Sequence, residues 1–391
     1  MSTVRALTLV DFDRITVAEL RERGGLNWSL YPDRIGSFVA EMDFGCAPEI
    51  IAALHAGIED RRFGYLPPVL VAEMARACAT WLEGSYGWSV PPADIRPVGD
   101  VIAGLEIAIE HFSRPGSAVV VPTPAYKHFL DVPLRSGRKV VEVPMVLADN
   151  RWEFDIEALD QAFAAGAGML ILCSPYNPLG RVFTRAELLA VSEVAQRHGV
   201  RVFADEIHCP LVLPGATHIP YATVSPAAAD HVITGLSASK AWNLAGLKCA
   251  HAVTAGEPAT TAVARLPEVA RHSGHLGVLA AVAAFGDGDQ WLDAVLELLD
   301  SNRRLLGRLL AERLPEVAYQ PPEAGYLAWL DCSRLGLGAD PAPALLERAR
   351  VALSGGPSFG AGGDGFVRLN FATSPALLEQ IVERMATGIR G

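Results

Sequence analysis

The sequence predicts an α/β protein with a large domain, built on a mostly parallel sheet flanked by helices, and a smaller α+β domain at its C-terminal end. Three observations lead to this fold class. Apolar strand-like runs alternate with helical patterns, such as the one at 186–197, from residue 48 to about residue 285, which is the rhythm of βα units. A long amphipathic run rich in Leu and Arg follows at 290–314. Two further strand-like runs come after it, at 326–331 and 366–371.

These patterns divide the chain into three parts. We predict an N-terminal segment at residues 1–47, a large domain at 48–289 and a small C-terminal domain at 290–391. The chain has 391 residues, of which 50% are hydrophobic, so it is long enough to bury the cores of two domains.

Three strand-like runs of the large domain lead directly into polar side chains. The runs are residues 169–173, 200–204 and 231–236, and the polar residues after them are Asn177, then Asp205, then Ser237, Ser239 and Lys240. Open α/β sheets bind their ligands at the carboxyl ends of the strands. We therefore expect these side chains to meet at one site.

The residue types at this edge fit a cofactor that bonds to an amine. A buried lysine such as Lys240 can form a covalent bond with an aldehyde, the Asp205 carboxylate can keep a pyridine nitrogen protonated, and the Asn177 amide can reach a phenolic oxygen. Each motif alone is usually only a helix cap or a turn. Their occurrence after three successive strands predicts a site for pyridoxal 5'-phosphate (PLP).

Longer motifs extend the pattern over nearly the whole chain. Around the predicted site they are Asp205-Glu206-Ile207-His208, the stretches 211–215 and 218–220, and the stretch 239–248. Elsewhere they are Ala40-Glu41-Met42-Asp43-Phe44, Phe63-Gly64-Tyr65, Thr123-Pro124-Ala125-Tyr126, the stretch 325–331 and Arg368-Leu369-Asn370-Phe371. With these motifs the chain resembles the fold-type I PLP-dependent enzymes of the aspartate aminotransferase superfamily, class I/II. Within it, the chain is most similar to the MalY/PatB branch of cystathionine β-lyases and cysteine-S-conjugate β-lyases.

The resemblance implies a role for each matching position. Lys240 is expected to bond to the cofactor and then to move the Cα proton of the substrate. Around the cofactor ring, the expected contacts are Asp205 at the pyridine nitrogen, Asn177 and His208 near the phenolic oxygen, and Tyr126 stacked on the ring face. The phosphate is expected to bind Ser237, Ser239, Lys248, the backbone of Val101 and Ile102 at a helix start, and Tyr65 of the neighbouring subunit.

The substrate α-carboxylate is expected to bind Arg368, together with Asn177. Without the resemblance, Arg368 also fits a surface cation beside a strand, and Tyr126 fits a core tyrosine.

The resemblance implies an α,β-elimination. An S-substituted cysteine such as L-cystathionine would lose a thiol from Cβ, leaving pyruvate and ammonia. Transamination uses the same residues up to the carbanion, so a class I/II aminotransferase is the alternative. A cofactor-bound transcriptional regulator is a third hypothesis, although the chain carries no helix-turn-helix motif and no basic patch. The sequence does not identify the thiol-bearing side chain of the substrate.

Three positions depart from the pattern of the branch. Lys248 stands where the superfamily usually has a phosphate-binding arginine, and it supplies a point charge instead of a planar fork. Tyr176 stands where histidine is common in the motif Pro-His-Asn-Pro, and Phe38 stands where tryptophan is common. The last two positions bear on the substrate pocket.

Composition limits the classes of binding partner and the cellular compartment that fit this protein. A formal net charge of −11 with no basic run argues against nucleic acid and anionic membranes. The six cysteines lack Cys-x-x-Cys spacing and fit reduced core thiols. The first ten residues do not resemble a signal peptide, and the most apolar helical run, 276–285, is much shorter than the roughly 20 residues of a membrane span. We therefore expect a cytoplasmic protein. The resemblance, in turn, implies a homodimer with active sites at its interface and an N-terminal segment, 1–47, that packs with the small domain.

Two competing motifs are weak. The glycine-rich stretch 355–365 is not followed by a helical pattern in the sequence. We therefore interpret it as a flexible loop on the substrate side and not as a dinucleotide-binding fingerprint. His272 and His275 could share a helix face, but they lack a third ligand at metal spacing. We therefore predict no metal site.

Overall fold

The computed structural model describes residues 15–264 and 273–390. Within these ranges the strands are β1 Ile35–Gly36, β2 Ile95–Val98, β3 Val119–Thr123, β4 Val140–Pro144, β5 Val146–Ala148, β6 Arg151–Glu153, β7 Met169–Cys173, β8 Arg201–Asp205, β9 Val232–Leu236, β10 Ala250–Val253, β11 Ala318–Tyr319, β12 Leu327–Asp331, β13 Val351–Ala352, β14 Ser354–Gly355 and β15 Phe366–Asn370.

The helices cover the faces of these sheets. The α-helices are Val17–Arg23, Leu26–Ser29, Pro48–Glu59, Pro68–Tyr86, Val101–His111, Lys127–Arg135, Ile156–Ala164, Arg185–His198, Pro226–His231, Glu257–Ala264, His275–Asp287, Asp289–Arg313, Ala342–Ala344 and Pro375–Arg390. The 3-10 turns are Pro92–Asp94, Cys209–Leu211, Tyr221–Thr223, Ala245–Leu247, Ser333–Leu335 and Gly356–Phe359, and Leu345–Ala349 is a π-helical turn.

The central sheet has seven strands in the order β2-β10-β9-β8-β7-β3-β4. Neighbours from β9 to β4 run parallel, whereas β10 is antiparallel to both β2 and β9. Strands β3, β7 and β9 are buried along their whole length, as strands covered by helices on both faces must be. The predicted mostly parallel sheet is confirmed.

The predicted elements agree with the observed ones to within two residues. Strand β7 has the predicted bounds, and the predicted helix 186–197 extends by one residue at each end, to Arg185–His198. A Thr184 to Glu187 capping box starts this helix, and Gly199 ends it in the left-handed conformation. The interpretation of 355–365 as a loop was wrong at its start, because Gly355 belongs to β14 and a 3-10 turn follows at Gly356–Phe359.

A second sheet of four antiparallel strands, β11-β12-β15-β14, forms the C-terminal part of the molecule. Helices Asp289–Arg313 and Pro375–Arg390 pack against each other beside it. The described part of the N-terminal segment joins this region, because β1 pairs in parallel with β13. The domain bounds 1–47, 48–289 and 290–391 stay a prediction.

Two further properties concern the described residues alone. No helix among them is both long and apolar enough to cross a membrane. They contain no group of three or more His, Cys, Asp or Glu side chains that could hold a metal ion. His272, one member of the weak histidine pair, lies outside the described residues.

Candidate active site

A cavity of about 740 Å³ opens at the carboxyl ends of β7 and β8. It collects most of the side chains that the sequence singled out. The predicted site residues that line it are Val101, Ile102, Tyr126, Asn177, Asp205, His208, Ser239, Lys240, Lys248 and Arg368. All predicted site residues except Ser237 and Tyr65 thus line one cavity, while their roles stay a prediction.

Lys240 projects into this cavity from the turn after β9. Its Nζ donates a hydrogen bond of 2.9 Å to the carbonyl oxygen of Ala40, and the Tyr326 hydroxyl donates to the same oxygen at 3.0 Å. Burial, with a smaller contribution from the positive charge of Arg368, lowers the pKa of the Lys240 amine to about 8. About a tenth of the amine is therefore unprotonated at pH 7, far more than for a lysine with the usual pKa.

Asp205 and His208 lie at the end of β8. Burial raises the pKa of the Asp205 carboxyl to about 7, although the backbone N–H of Ile207 donates to its Oδ1 at 3.0 Å. Burial, reinforced by the charges of Lys240 and Arg368, lowers the pKa of His208 to about 3, so its imidazole is neutral. His208 Nδ1 is buried without a hydrogen-bond partner among the described residues.

Arg368 faces the same cavity from β15 of the small sheet. Its guanidinium donates to Asn177 Oδ1 at 3.0 Å and to the carbonyl oxygen of Phe38 at 2.8 Å, and it lies 5.0 Å from the centroid of the Phe359 ring. Burial lowers its pKa to about 10, so the group stays cationic at neutral pH. Its Nε is buried and has no partner in the part of the chain that the structure describes. A buried cationic guanidinium that keeps an unpartnered Nε–H is suited to bind a carboxylate.

The opposite end of the cavity is formed by a helix start and a cation. Asp100 caps helix Val101–His111, accepting from the Ala103 N–H at 2.7 Å, and its second oxygen accepts from Lys248 Nζ at 2.8 Å. Ser239 lines the cavity here. A helix N-terminus beside a lysine favours a bound anion.

Ser237 and Tyr65 lie apart from the cavity lining. The Ser237 hydroxyl is buried and donates to the carbonyl oxygen of Cys249 at 2.7 Å, and it accepts from the Ser239 N–H at 3.1 Å. Ser237 thus supports the turn that carries Ser239 and Lys240. Tyr65 is fully exposed on the surface of the chain.

Sequence reasoning missed several groups at the site. They are the carbonyl groups of Phe38 and Ala40, the Ser354 hydroxyl 3.4 Å from Arg368, the ring of Phe359, and Asp100. Asp100 carries a readable signal, since it stands between the end of β2 and an apolar helical run, as an N-cap does. The carbonyl groups of Phe38 and Ala40 carry none, because any residue type supplies a backbone carbonyl and the partners of these two lie 200 or more positions away.

The groups present fit PLP. A buried amine at Lys240, a carboxyl group at Asp205 and a neutral imidazole at His208 match an aldehyde, a pyridine nitrogen and a phenolic oxygen, respectively. The helix start with Lys248 and Ser239 matches the phosphate. The buried, unpartnered His208 Nδ1 and Arg368 Nε are polar atoms that a bound molecule can satisfy.

Comparison with known proteins agrees with this geometry. The model of the family "Aminotransferase class I and II" matches residues 39–385. The cystathionine beta-lyase of Corynebacterium glutamicum is 37% identical to this chain, and the match covers 94% of this chain and 98% of the relative. The cystathionine beta-lyase PatB of Bacillus subtilis is 33% identical, with 91% and 93% covered. The PLP-bound C-S lyase of Staphylococcus hominis superposes with a TM-score of 0.88 at 25% identity, with 97% and 98% covered. The chain belongs to the aminotransferase class I and II family.

Proposed function

We propose that this protein is a PLP-dependent carbon–sulfur β-lyase that cleaves L-cystathionine or a related S-substituted cysteine to a thiol, pyruvate and ammonia. The observation that carries the proposal is a buried Lys240 amine that shares one cavity with the Asp205 carboxyl group and the Arg368 guanidinium. Relatives that match this chain over nearly their full length are named cystathionine beta-lyase, and a close structural neighbour is named C-S lyase.

Each end of the cavity has a part in holding the cofactor. Lys248, Ser239 and the helix start at Val101 and Ile102 would hold the phosphate, while Asp205 would face the pyridine nitrogen. Asn177 and His208 would flank the phenolic oxygen, and Tyr126 would pack on the ring face. When bound, PLP supplies an electron sink that stabilises negative charge at the substrate Cα.

Arg368 would orient the substrate. Its guanidinium keeps a positive charge at neutral pH and is buried, so a carboxylate bound there is held by a charge-assisted pair in a site of low polarity. Asn177 already contacts this guanidinium and would contact the same carboxylate. Holding the carboxylate fixes the direction in which the Cα–H bond points.

Lys240 would accept the Cα proton at its Nζ. A pKa of about 8 is near the working pH, which is where a general base is most effective. The carbonyl oxygen of Ala40 gives the resulting ammonium group a hydrogen-bond acceptor, and that bond limits the directions in which Nζ can point. The thiolate then leaves Cβ.

We further infer that two copies assemble with the active sites at their interface. Tyr65 is fully exposed, and three more large apolar side chains near it in sequence, Ile58, Phe63 and Val69, are at least half exposed. Such a surface favours burial against a partner. In that dimer, Tyr65 would reach the phosphate of the partner's cofactor.

We infer a cytoplasmic location for the protein. All six cysteines are free thiols and five of them are buried. A chain with this many unpaired thiols suits a reducing compartment.

Aminotransferase activity is the second candidate, because the same residues serve both reactions as far as the loss of the Cα proton. A panel of S-substituted cysteines that includes L-cystathionine distinguishes the two. The lyase releases thiol, pyruvate and ammonia in equal amounts from at least one member of the panel. Transfer of the amino group to an added keto acid that outpaces thiol release on every substrate would favour the aminotransferase.

A further inference from the structure

Residues 38–45 form an irregular segment, here called the strap, and its first three residues line the cavity. The strap supplies the carbonyl oxygen of Phe38 to Arg368 and that of Ala40 to Lys240. We propose that Asn243 and Asn370 are positioning residues, which hold this strap so that its two carbonyl groups orient the Lys240 amine and the Arg368 guanidinium. The functional part of this inference rests on the proposed function of those two groups.

Asn243 binds the strap from the turn that carries Lys240. Its Nδ2 donates to the carbonyl oxygens of Met42 at 2.9 Å and Gly45 at 3.0 Å, and its Oδ1 accepts from the Met42 N–H at 2.9 Å. Asn243 lies in the left-handed region with φ of 61°, a conformation that asparagine adopts more readily than most residues. Its backbone conformation and its side chain thus both serve the contact with the strap.

Asn370 binds the strap from the strand that carries Arg368. Its Nδ2 donates to the carbonyl oxygens of Val39 at 2.7 Å and Glu41 at 2.6 Å, one on each side of Ala40. Its Oδ1 accepts from the Ala372 N–H at 2.8 Å. Residues two apart on a strand point to the same face, so Asn370 and Arg368 reach the strap together.

The two asparagines therefore repeat one arrangement. Lys240 and Arg368 are each followed, three and two positions later, by an asparagine whose amide donates to two strap carbonyls. A third asparagine, Asn27, holds the outer side of the strap through the Phe38 and Val39 N–H groups. The strap is thereby fixed to both elements that carry the ionisable groups, and its position sets their directions.

This arrangement matters because both groups have long, flexible side chains. An amine on four methylene groups points in one direction only when an acceptor holds it, and a misplacement of about 1 Å costs on the order of 100-fold in rate. The Ala40 carbonyl accepts from both Lys240 and the Tyr326 hydroxyl, so it already has a fixed place in the site.

The test uses isosteric substitutions in the holoenzyme. Asn243→Asp and Asn370→Asp each replace two N–H donors by an oxygen facing carbonyl groups. The matched control is Asn302→Asp, because Asn302 is buried and donates to two carbonyl oxygens, those of Phe371 and Thr373, without touching the strap. Amide hydrogen exchange of the peptide covering 38–45 and kcat/KM for an S-substituted cysteine are measured from pH 6 to 8.

We expect faster exchange of the strap in both strap variants, and kcat/KM lowered roughly tenfold or more relative to the control variant at equal thermal stability. The loss should shrink toward pH 6, because a carboxyl group that faces carbonyl oxygens titrates above its usual range and regains one donor on protonation. A role confined to stability would not produce this pH dependence.

Two results would overturn the proposal: wild-type exchange rates in the strap of both variants, or an equal loss of kcat/KM in Asn302→Asp. If Asn243→Asp does not fold, Asn243→Gly keeps the left-handed backbone and should give the same changes without pH dependence. Because the exchange measurement needs no turnover, it still decides whether the asparagines hold the strap if the protein proves not to be a lyase.

Discussion

Burial shifts each ionisable side chain at the base of the cavity toward its neutral form. The pKa values of Lys240, His208 and Arg368 fall to about 8, 3 and 10, while that of Asp205 rises to about 7. In each case burial is the main cause, because it penalises the charged form. When no other molecule is bound, burying these ionisable groups therefore has a cost in the stability of the folded protein. A bound group of complementary charge would relieve this cost.

At Asp205 this cost predicts a pH-dependent stability. Because the folded-state pKa is raised, the native protein binds more protons than the unfolded chain between about pH 4 and 7, and stability falls as pH rises through that window. Without cofactor, Asp205→Asn should be more stable than the wild type at pH 8, by on the order of 4 kcal/mol, and the difference should vanish near pH 4. Thermal unfolding of the cofactor-free proteins from pH 4 to 8 measures this. A difference that shrinks as pH rises would contradict the assignment.

The same substitution should have the opposite effect in the holoenzyme. A neutral amide cannot hold a proton on the pyridine nitrogen, so Asp205→Asn should bind PLP less tightly although its cofactor-free form is more stable.

Lys240 is the residue expected to bond to the cofactor. The purified protein should be yellow, and reduction with borohydride should attach the cofactor covalently to a peptide that contains Lys240. Lys248 is the internal control, because it lines the same cavity but is exposed and ion-paired with Asp100. A label on a peptide that contains Lys248 instead would contradict the assignment of Lys240 as the residue that bonds to the cofactor.

At the scale of secondary-structure elements, the start of helix Val101–His111 combines a cap and an ion pair on Asp100. Exposed ion pairs contribute about 0–1 kcal/mol, and an N-cap about 1 kcal/mol. Asp100→Ala should therefore lower the free energy of unfolding by about 1 kcal/mol. Asp100→Asn, which keeps a good cap but loses the charge, should lower it much less.

Urea unfolding of the cofactor-free variants measures both values. Asp155→Ala is the matched control, since Asp155 caps helix Ile156–Ala164 through the Ala158 N–H and does not line the cavity. Equal losses for Asp100→Ala and Asp100→Asn would show that the pair with Lys248, not the cap, stabilises this helix start.

The elements that carry the site could be predicted because their local patterns are strong. Strands β7, β8 and β9 read as apolar runs since helices bury them, and the carboxyl ends of parallel strands necessarily share an edge. The orientation of a single hydroxyl could not be predicted. Ser237 follows β9 as expected, yet its hydroxyl donates to the Cys249 carbonyl, a contact that depends on the packing of β10 beside β9.

The strap could not be predicted for a different reason. Its motif Ala40-Glu41-Met42-Asp43-Phe44 was recognised by resemblance, but its partners Lys240 and Asn370 lie 200 and more than 300 positions away. Hydrogen bonds to backbone carbonyls leave no trace in residue type at the acceptor. Only the assembled fold brings them together.

At the scale of the whole molecule, the role that the resemblance implies for Tyr65 predicts shared active sites. If Tyr65 reaches the partner's cofactor, mixing inactive Lys240→Ala subunits with inactive Tyr65→Phe subunits should restore part of the activity, because one of the two sites in a hybrid dimer contains both intact residues. Activity is measured after exchange, with subunit exchange verified by native mass spectrometry. No recovery despite complete exchange would mean that Tyr65 acts within its own subunit or not at all.

The central claim, a lyase in which elimination returns the cofactor to its starting form, is tested most directly by counting turnovers without an added keto acid. The purified holoenzyme is mixed with a large excess of L-cystathionine or a simple S-alkyl cysteine, and pyruvate and thiol are followed over time. We predict that both products form together at a constant rate for many equivalents per active site. Product that stops at about one equivalent per site, and resumes only when a keto acid is supplied, would contradict the account and identify an aminotransferase.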